Sequence, residues 1–367
     1  MTDRVPLPRS SRTPGLRARS AFTVSAATAL GLGVLALFPL RSDAQERHVL
    51  TGSQVTLWNL AGEVRVEAGT GADVVVELTR GGSDGRRLDV VASGGELRVR
   101  YPSDEVVYRS GVGNGRGSTT VNVRSDGTFG GDWRGGGRRT KVRTSGSGLD
   151  AHANLVLRVP PGKRLEVNLA LGRIEAVNVA GELRFDVAAA EVITRGTKGN
   201  LVVDAGSGLV RVEDADGDLL VDTGSGSTTL LNVRGPRVVV DAGSGGLTAR
   251  GVTTDRLSAD IGSGSVSIEG LTTDELLVDT GSGSVRVELT KVPRRTNIDT
   301  GSGSVTLTLP AGANAELDLD TSSGGISSDF PVTMNEVRRR SLRGKIGEGG
   351  PIIRVSTGSG GVRVLKR

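Results

Sequence analysis

The sequence has 367 residues, of which 56 are glycine and 12 are proline, with aromatic residues at 2%. That is too few aromatics for an ordinary globular core, yet Val, Leu and Ile recur too regularly for a disordered chain. There is no cysteine, which excludes a disulfide framework and thiol catalysis. The net charge of +5 sits mostly in the first 44 residues: taking their six bases and two acids from totals of 46 and 41 leaves 40 bases against 39 acids, so overall charge makes no case for a nucleic-acid partner.

At the N-terminus, Arg4, Arg9, Arg12, Arg17 and Arg19 form a basic leader, and Ala21 to Leu40 is an uncharged apolar run. Ser42-Asp43-Ala44 then places small residues at the two positions a signal peptidase reads. Residues 1–44 are therefore expected to be a signal peptide cut after Ala44, which makes the protein exported and extracytoplasmic, either periplasmic or at the cell surface or secreted. The alternative is an uncleaved anchor, since an apolar run of this length is enough to span a bilayer.

Residues 45–100 show short alternating segments (Val55 and Leu57, Val64 and Val66, Val74 and Val76, Leu97 and Val99) and read as an N-terminal β segment that caps a longer array. Residues 101–147 break that pattern. They hold eleven glycines, eight bases and four acids, and they read as a Gly/Arg-rich insertion loop, with a hairpin turn at Asp126-Gly127 as the plainest local structure. Arginine interleaved with aromatics suits a polyanion, a lipid head group or a glycan, so Tyr108, Arg109, Arg116, Phe129, Trp133, Arg134, Arg138 and Arg139 are the candidate interaction residues.

From residue 148 to 367 the chain is repetitive. Asp222-Thr223-Gly224-Ser225-Gly226-Ser227 returns from Asp260, Asp279 and Asp299, with looser copies at Asp204, Asp241 and Asp320; from Asp204 to Asp320 the steps are 18, 19, 19, 19, 20 and 21 residues. In each copy alternate apolar residues (Leu219, Val221 and Thr223; Leu276, Val278 and Thr280) share one face of a strand, and the aspartate points to the other. Gly-Ser-Gly-Ser follows as a corner, and a second short strand such as Val285 to Val287 completes the unit. Upstream, Asp186 and Asn168 keep the register at 18-residue steps. The expected fold is all-β: a right-handed parallel β-solenoid (β-helix) with roughly 19-residue coils, two main sheets and a short third. The alternative is an antiparallel β-sandwich in which the two strands of a unit pair across the Gly-Ser turn. The basic run from Glu336 to Lys345 reads as a solvated loop.

The C-terminal block is the most specific part of the sequence. Leu317-Asp318-Leu319-Asp320-Thr321-Ser322-Ser323-Gly324-Gly325-Ile326 leads through Asp329-Phe330-Pro331 to Gly344-Lys345-Ile346-Gly347-Glu348-Gly349 and then Ile352-Ile353-Arg354-Val355-Ser356-Thr357-Gly358-Ser359-Gly360. Over residues 150–367, and more weakly over 48–100, this resembles the bacterial putative-adhesin family, whose members repeat short Thr-Gly-Ser-Gly strands. The resemblance implies an extracytoplasmic β-solenoid with an adhesin-like role. It carries no catalytic residues.

Catalytic chemistry is poorly supplied. Only His48 and His152 offer imidazole bases, and Asp150 with His152 on one strand face is a weak acid–base or metal hint with nothing to complete a site. Gly113-Asn114-Gly115-Arg116-Gly117 is not placed between a strand and a helix, as a phosphate loop requires. The repeated feature is an aspartate column of Asp222, Asp241, Asp260, Asp279 and Asp299. Stacked about 4.8 Å apart, these carboxylates need relief from mutual repulsion, either from the amides of their own Gly-Ser turns or from calcium shared between coils, the one cofactor the sequence suggests. The expected function is an exported, non-enzymatic, adhesin-like surface or envelope interaction protein whose partner is a protein, glycan or anionic lipid. Nucleic acid is not expected, and membrane contact is expected only through an uncleaved signal segment. The alternatives are an envelope scaffold or sensor partner that binds through residues 101–147, and a glycan-active β-helix enzyme.

Overall fold

The computed structural model describes residues 45–109, 117–130, 136–338 and 340–367; the signal segment expected over 1–44 lies outside the described residues. Among the described residues no helix is long and apolar enough to cross a membrane. The described residues all fall within one unit by internal contacts.

The repeats stack in parallel register. In a first ladder, Gly181–Arg195, Leu201–Ser207, Leu219–Ser225, Arg234–Ser244 and Thr253–Ser263 pair in sequence, each parallel to the one before. The register joins equivalent residues: Leu183, Leu201, Leu219, Val238, Leu257 and Leu276 form one inward row, and Phe185, Val203, Val221, Val240, Ala259 and Val278 the next. All are buried, in one continuous hydrophobic cluster. A second parallel ladder runs through Val210–Glu213, Thr228–Leu231, Leu247–Arg250, Val266–Ser282, Val285–Leu289 and Val305–Leu309. Among the described residues, pairing joins equivalent positions of neighbouring repeats and does not fold back across a Gly-Ser corner; Val266–Ser282 is long enough to serve both ladders, its first residues pairing with Leu247–Arg250 and Val285–Leu289 and its last with Thr253–Ser263 and Arg295–Ser302. A shorter third row is made by the bridges Ala180 to Lys198, Lys198 to Asp216 and Asp216 to Arg234, and it continues as Arg234 to Thr253 and Thr253 to Thr272.

The corners explain the glycines. A Cβ added at Gly226, Gly245 or Gly264 would overlap the backbone carbonyl of the matching glycine one repeat earlier. Glycine is needed at these positions because two backbones approach each other closely, more than for positive φ. A second corner does require the left-handed region. Asn178, Asp214 and Asn232 adopt φ of 55°, 52° and 53°, and the equivalent positions in other repeats are Gly196, Gly251 and Gly270 at 65° to 66°. Asn, Asp and Gly are the residues that tolerate this conformation, and Asn232 Nδ2 donates to Asp214 Oδ1 at 3.0 Å across adjacent repeats.

Both ends depart from simple succession. At the N-terminal end, the two halves of Gln54–Ala68 continue both ladders, and these end in the antiparallel pairs Asp89–Ser93 with Glu96–Arg100 and Glu46–Leu50 with Val74–Gly81. At the C-terminal end, the repeat at Asp320 does not follow the repeat at Asp299. Ile352–Ser359 inserts between them, parallel to Arg295–Ser302 on one side and to Ala315–Thr321 on the other. Val362–Lys366 inserts in the same way between Val305–Leu309 and Ile326–Ser328.

Two expected loops are structured. Val332–Arg338 and Ser341–Ile346 form an antiparallel pair on Ala315–Thr321, and Arg343 from this expected solvated loop pairs with Asp318 at 3.0 Å. The Gly/Arg-rich segment also folds: Glu105–Val107, Ser118–Val123, Arg138–Arg143 and Leu149–Asp150 form a separate four-stranded sheet. The strands Ser118–Val123 and Arg138–Arg143 pair antiparallel, so the tight turn at Arg124–Thr128 lies within a longer connection. This sheet packs against the strands Lys163–Val177 and Gly181–Arg195.

Candidate binding surfaces

Two rows of outward residues and the inserted sheet carry the polar chemistry. The first row is the aspartate column. Parallel register places Asp186, Asp204, Asp222, Asp241, Asp260, Asp279 and Asp299 side by side, followed by Ser356 and then Asp320. From Asp222 to Asp299 these side chains face solvent. Among the described residues, no turn amide donates to Asp222, Asp241, Asp260, Asp279 or Asp299, so the expected capping is not what relieves their repulsion. No group of three or more His, Cys, Asp or Glu side chains among the described residues is arranged to hold a metal ion. The carboxyls of Asp241 and Asp279 are instead pushed above the usual carboxylate range, first by partial burial and then by the charges of their neighbours, Asp222 and Asp260 for the former, Asp260 and Asp299 for the latter.

This raised pKa has a sign. A carboxyl that is harder to ionise in the fold costs stability once pH rises past the raised value, and that cost vanishes below the unfolded value, where both states are protonated. Neighbouring charges about 4.8 Å apart repel by ~0.9 kcal/mol even in water, and salt screens part of this. Asp241→Asn is therefore expected to stabilise the protein by about 1 kcal/mol at neutral pH and low salt, with no gain near pH 3. Urea denaturation of the two proteins at both pH values checks it; a destabilised variant at neutral pH contradicts the reading that the stretch from Asp222 to Asp299 is not neutralised.

The N-terminal end of the same row is covered. Its register continues through Asn168 to Trp58 and Arg98, and the inserted segment lies over it. Trp58 Nε1 donates to the Phe129 carbonyl oxygen at 3.2 Å, and a side chain at Gly130 would press on Asn168 Oδ1 and Asp186 Oδ2. The Asp126 carboxyl is held below the usual range, first by the Thr128 amide at 3.0 Å, with the Arg98 guanidinium adding to the effect.

The expected interaction residues divide. Tyr108 and Phe129 are core side chains: both are buried, and the Tyr108 ring packs 4.8 Å from the buried His152. Burial pushes the Tyr108 hydroxyl up to about 12. These aromatics are spent on seating the inserted sheet, which corrects the expectation that they face a ligand. Arg109 is tied to Asp150 at 3.4 Å and to the Gly146 carbonyl at 3.1 Å. Arg138 pairs with Asp104 and donates to the Tyr101 and Ser103 carbonyls at 3.2 and 3.1 Å. Arg139 is exposed and has no partner among the described residues. Arg116, Trp133 and Arg134 lie outside the described residues. Asp150 also accepts from Ser83 at 3.2 Å, and His152 is buried against Tyr108.

The second row was not singled out from the sequence. On the second ladder, outward positions align as Arg211, Thr229, Thr248, Ser267, Arg286, Thr306, Arg363 and Ser327. The alternation within each short strand signals outward residues. The order of the last three is set by the inserted terminal strand and is not visible in chain order.

The architecture and the two rows define an all-β repeat protein with extended polar faces. The chain belongs to the family described as Toastrack DUF4097, whose model matches residues 56–365. A comparison with curated proteins returns no match. Among solved structures, one similar chain is that of a "putative cell adhesion protein" from Clostridium sporogenes, 9% identical, with 88% of this chain and 100% of that one covered; the TM-score of 0.17 is too low to carry an argument.

Proposed function

We propose that the protein is an exported, non-enzymatic, adhesin-like recognition protein whose repeats wind into a right-handed β-solenoid and hold flat polar rows toward a cell-surface or envelope ligand. The observation that carries this reading is the register. Equivalent outward residues of successive repeats lie one strand spacing apart over the whole stack, which presents a long, regular surface and not an enclosed cleft. A charged, hydroxyl-rich plane of this kind suits an extended partner that meets it at several points, where weak contacts add through multivalency.

The test is binding of the full chain to isolated cell-envelope fractions and to an immobilised glycan panel, with ligand integrity followed by chromatography. The expected result is saturable binding with the ligand recovered intact. Progressive cleavage of a bound glycan would replace this reading with the glycan-active enzyme. Loss of all binding on altering the inserted sheet alone, at Arg139→Glu and Lys141→Glu, would replace it with a scaffold that acts through that insertion.

A further inference from the structure

The outward row of the second ladder changes character toward its C-terminal end. Arg286 lies beside Ser267 on one side and Thr306 on the other, and Arg363 lies between Thr306 and Ser327. Both arginines are exposed, and among the described residues neither has an ion-pair or hydrogen-bond partner. Elsewhere on this ladder arginines are neutralised. Arg211 in the same row pairs with Glu213, two residues along its own strand, and Arg250 pairs with Glu269 at 3.1 Å. The acid that stands in the same relation to Arg286 is Glu288, and it is taken by Arg367 at 3.2 Å. In the Arg363 strand that position is Leu365, which offers no charge. Two guanidinium groups are thus left free in a row whose other members, apart from the paired Arg211, are hydroxyl side chains.

They border a shallow hollow of 340 Å³ that also takes in Ser267, Thr306 and the corner serines Ser284 and Ser304. Arg286 and Arg363 are two strands apart, or roughly 9.6 Å. A guanidinium meets a carboxylate with two parallel hydrogen bonds, and hydroxyl side chains both donate and accept, as sugar hydroxyls do. The charge is too sparse for a polyphosphate or a nucleic-acid backbone, and no aromatic side chain lines the hollow to stack a base. A lipid surface is not favoured either: the exposed large apolar side chains Val49, Leu220, Met334 and Ile352 all lie off this row.

We propose that this lane binds an acidic polysaccharide with a carboxylate on alternate sugars, laid along the stack so that successive carboxylates meet Arg286 and Arg363. The proposal rests on the recognition reading above and names its ligand class. The aspartate row on the neighbouring ladder repels the same polymer and keeps it to the arginine side. Without aromatic platforms, binding depends on the acid groups and weakens with salt.

The test is binding of the full chain to immobilised hyaluronan, with dextran, inorganic polyphosphate and phosphatidylglycerol vesicles as comparison probes. Hyaluronan is expected to bind and to be displaced by salt, and dextran is expected not to bind. The double substitution Arg286→Glu with Arg363→Glu is expected to weaken hyaluronan binding by roughly tenfold or more. Arg286→Gln with Arg363→Gln is expected to do the same with no added negative charge, and unchanged thermal melts establish that both variants fold. Equal hyaluronan binding by wild type and both variants overturns the proposal, as does tighter binding of polyphosphate or of the vesicles. Envelope binding by the same proteins separates the two levels: if it persists while hyaluronan fails, the lane assignment falls and the recognition reading stands; if neither binds, both fall.

Discussion

Gly245→Ala is expected to destabilise the protein by about 3 kcal/mol, the upper end of what overpacking a tight interior costs. The position is not strained by φ. The obstacle is the Gly226 carbonyl of the preceding repeat, which occupies the place a Cβ would take, and Gly264 makes the same approach to the Gly245 carbonyl. Both neighbours are backbone, held by ladder hydrogen bonds on either side, so no rotamer change makes room. The disturbance should reach both adjacent corners and loosen the pairing of Leu219–Ser225 with Arg234–Ser244. Gly312→Ala is the control: nothing lies within 4 Å of a Cβ there, and the change is expected to stay within about 0.5 kcal/mol of wild type. Urea denaturation of both variants measures the difference, and equal midpoints would contradict the close-approach account of the corners.

Ending the chain at Gly350 is expected to have a larger effect. It removes Ile353, Val355, Val362 and Val364, all buried. At about 1.5–3 kcal/mol for each fully buried aliphatic side chain, this forfeits on the order of 6 kcal/mol or more. The location of the damage is the informative part. Ile352–Ser359 is the parallel partner of both Arg295–Ser302 and Ala315–Thr321, so without it the segment from Ala315 to Ile346 loses its link to the stack. Limited proteolysis with mass spectrometry is expected to show cleavage within residues 315–346 while repeats up to Asp299 stay protected. Were the repeat at Asp320 stacked directly on that at Asp299, residues 315–321 would remain protected in the truncated chain.

These two cases show where the sequence could be read and where it could not. The period near 19 residues, the inward rows such as Leu219 and Val221, and the outward aspartates were legible because alternation and repeat spacing are local signals, and the register of adjacent strands follows them. The insertion of Ile352–Ser359 between two earlier repeats was not legible. Ser356 fits the pattern equally well as a final coil, and nothing in the phrase records which neighbour it pairs with. The second corner was missed for another reason: Asn178, Asp214, Asn232 and Gly251 share a backbone conformation but no common letter. The inserted sheet was misread as a loop because eleven glycines outweighed two short alternating runs, Ser118–Val123 and Arg138–Arg143. Its aromatics looked like ligand contacts because composition alone does not separate a side chain that faces solvent from one that seats a small sheet on a larger one. The arginine lane depends on the terminal insertion, since Arg363 reaches Thr306 only through it.

The absence of native cysteine gives that arrangement a clean test by cross-linking. Thr306 and Arg363 face each other across adjacent parallel strands, whereas Ser327 is the next strand beyond Arg363. A disulfide needs Cα atoms closer than about 7 Å, one strand spacing but not two. Under mild oxidation of the full chain, Thr306→Cys with Arg363→Cys is expected to form an intramolecular disulfide, and Thr306→Cys with Ser327→Cys is expected to remain reduced. The reverse outcome would place the repeat at Asp320 directly on that at Asp299, removing both the inserted strand and the lane built on it.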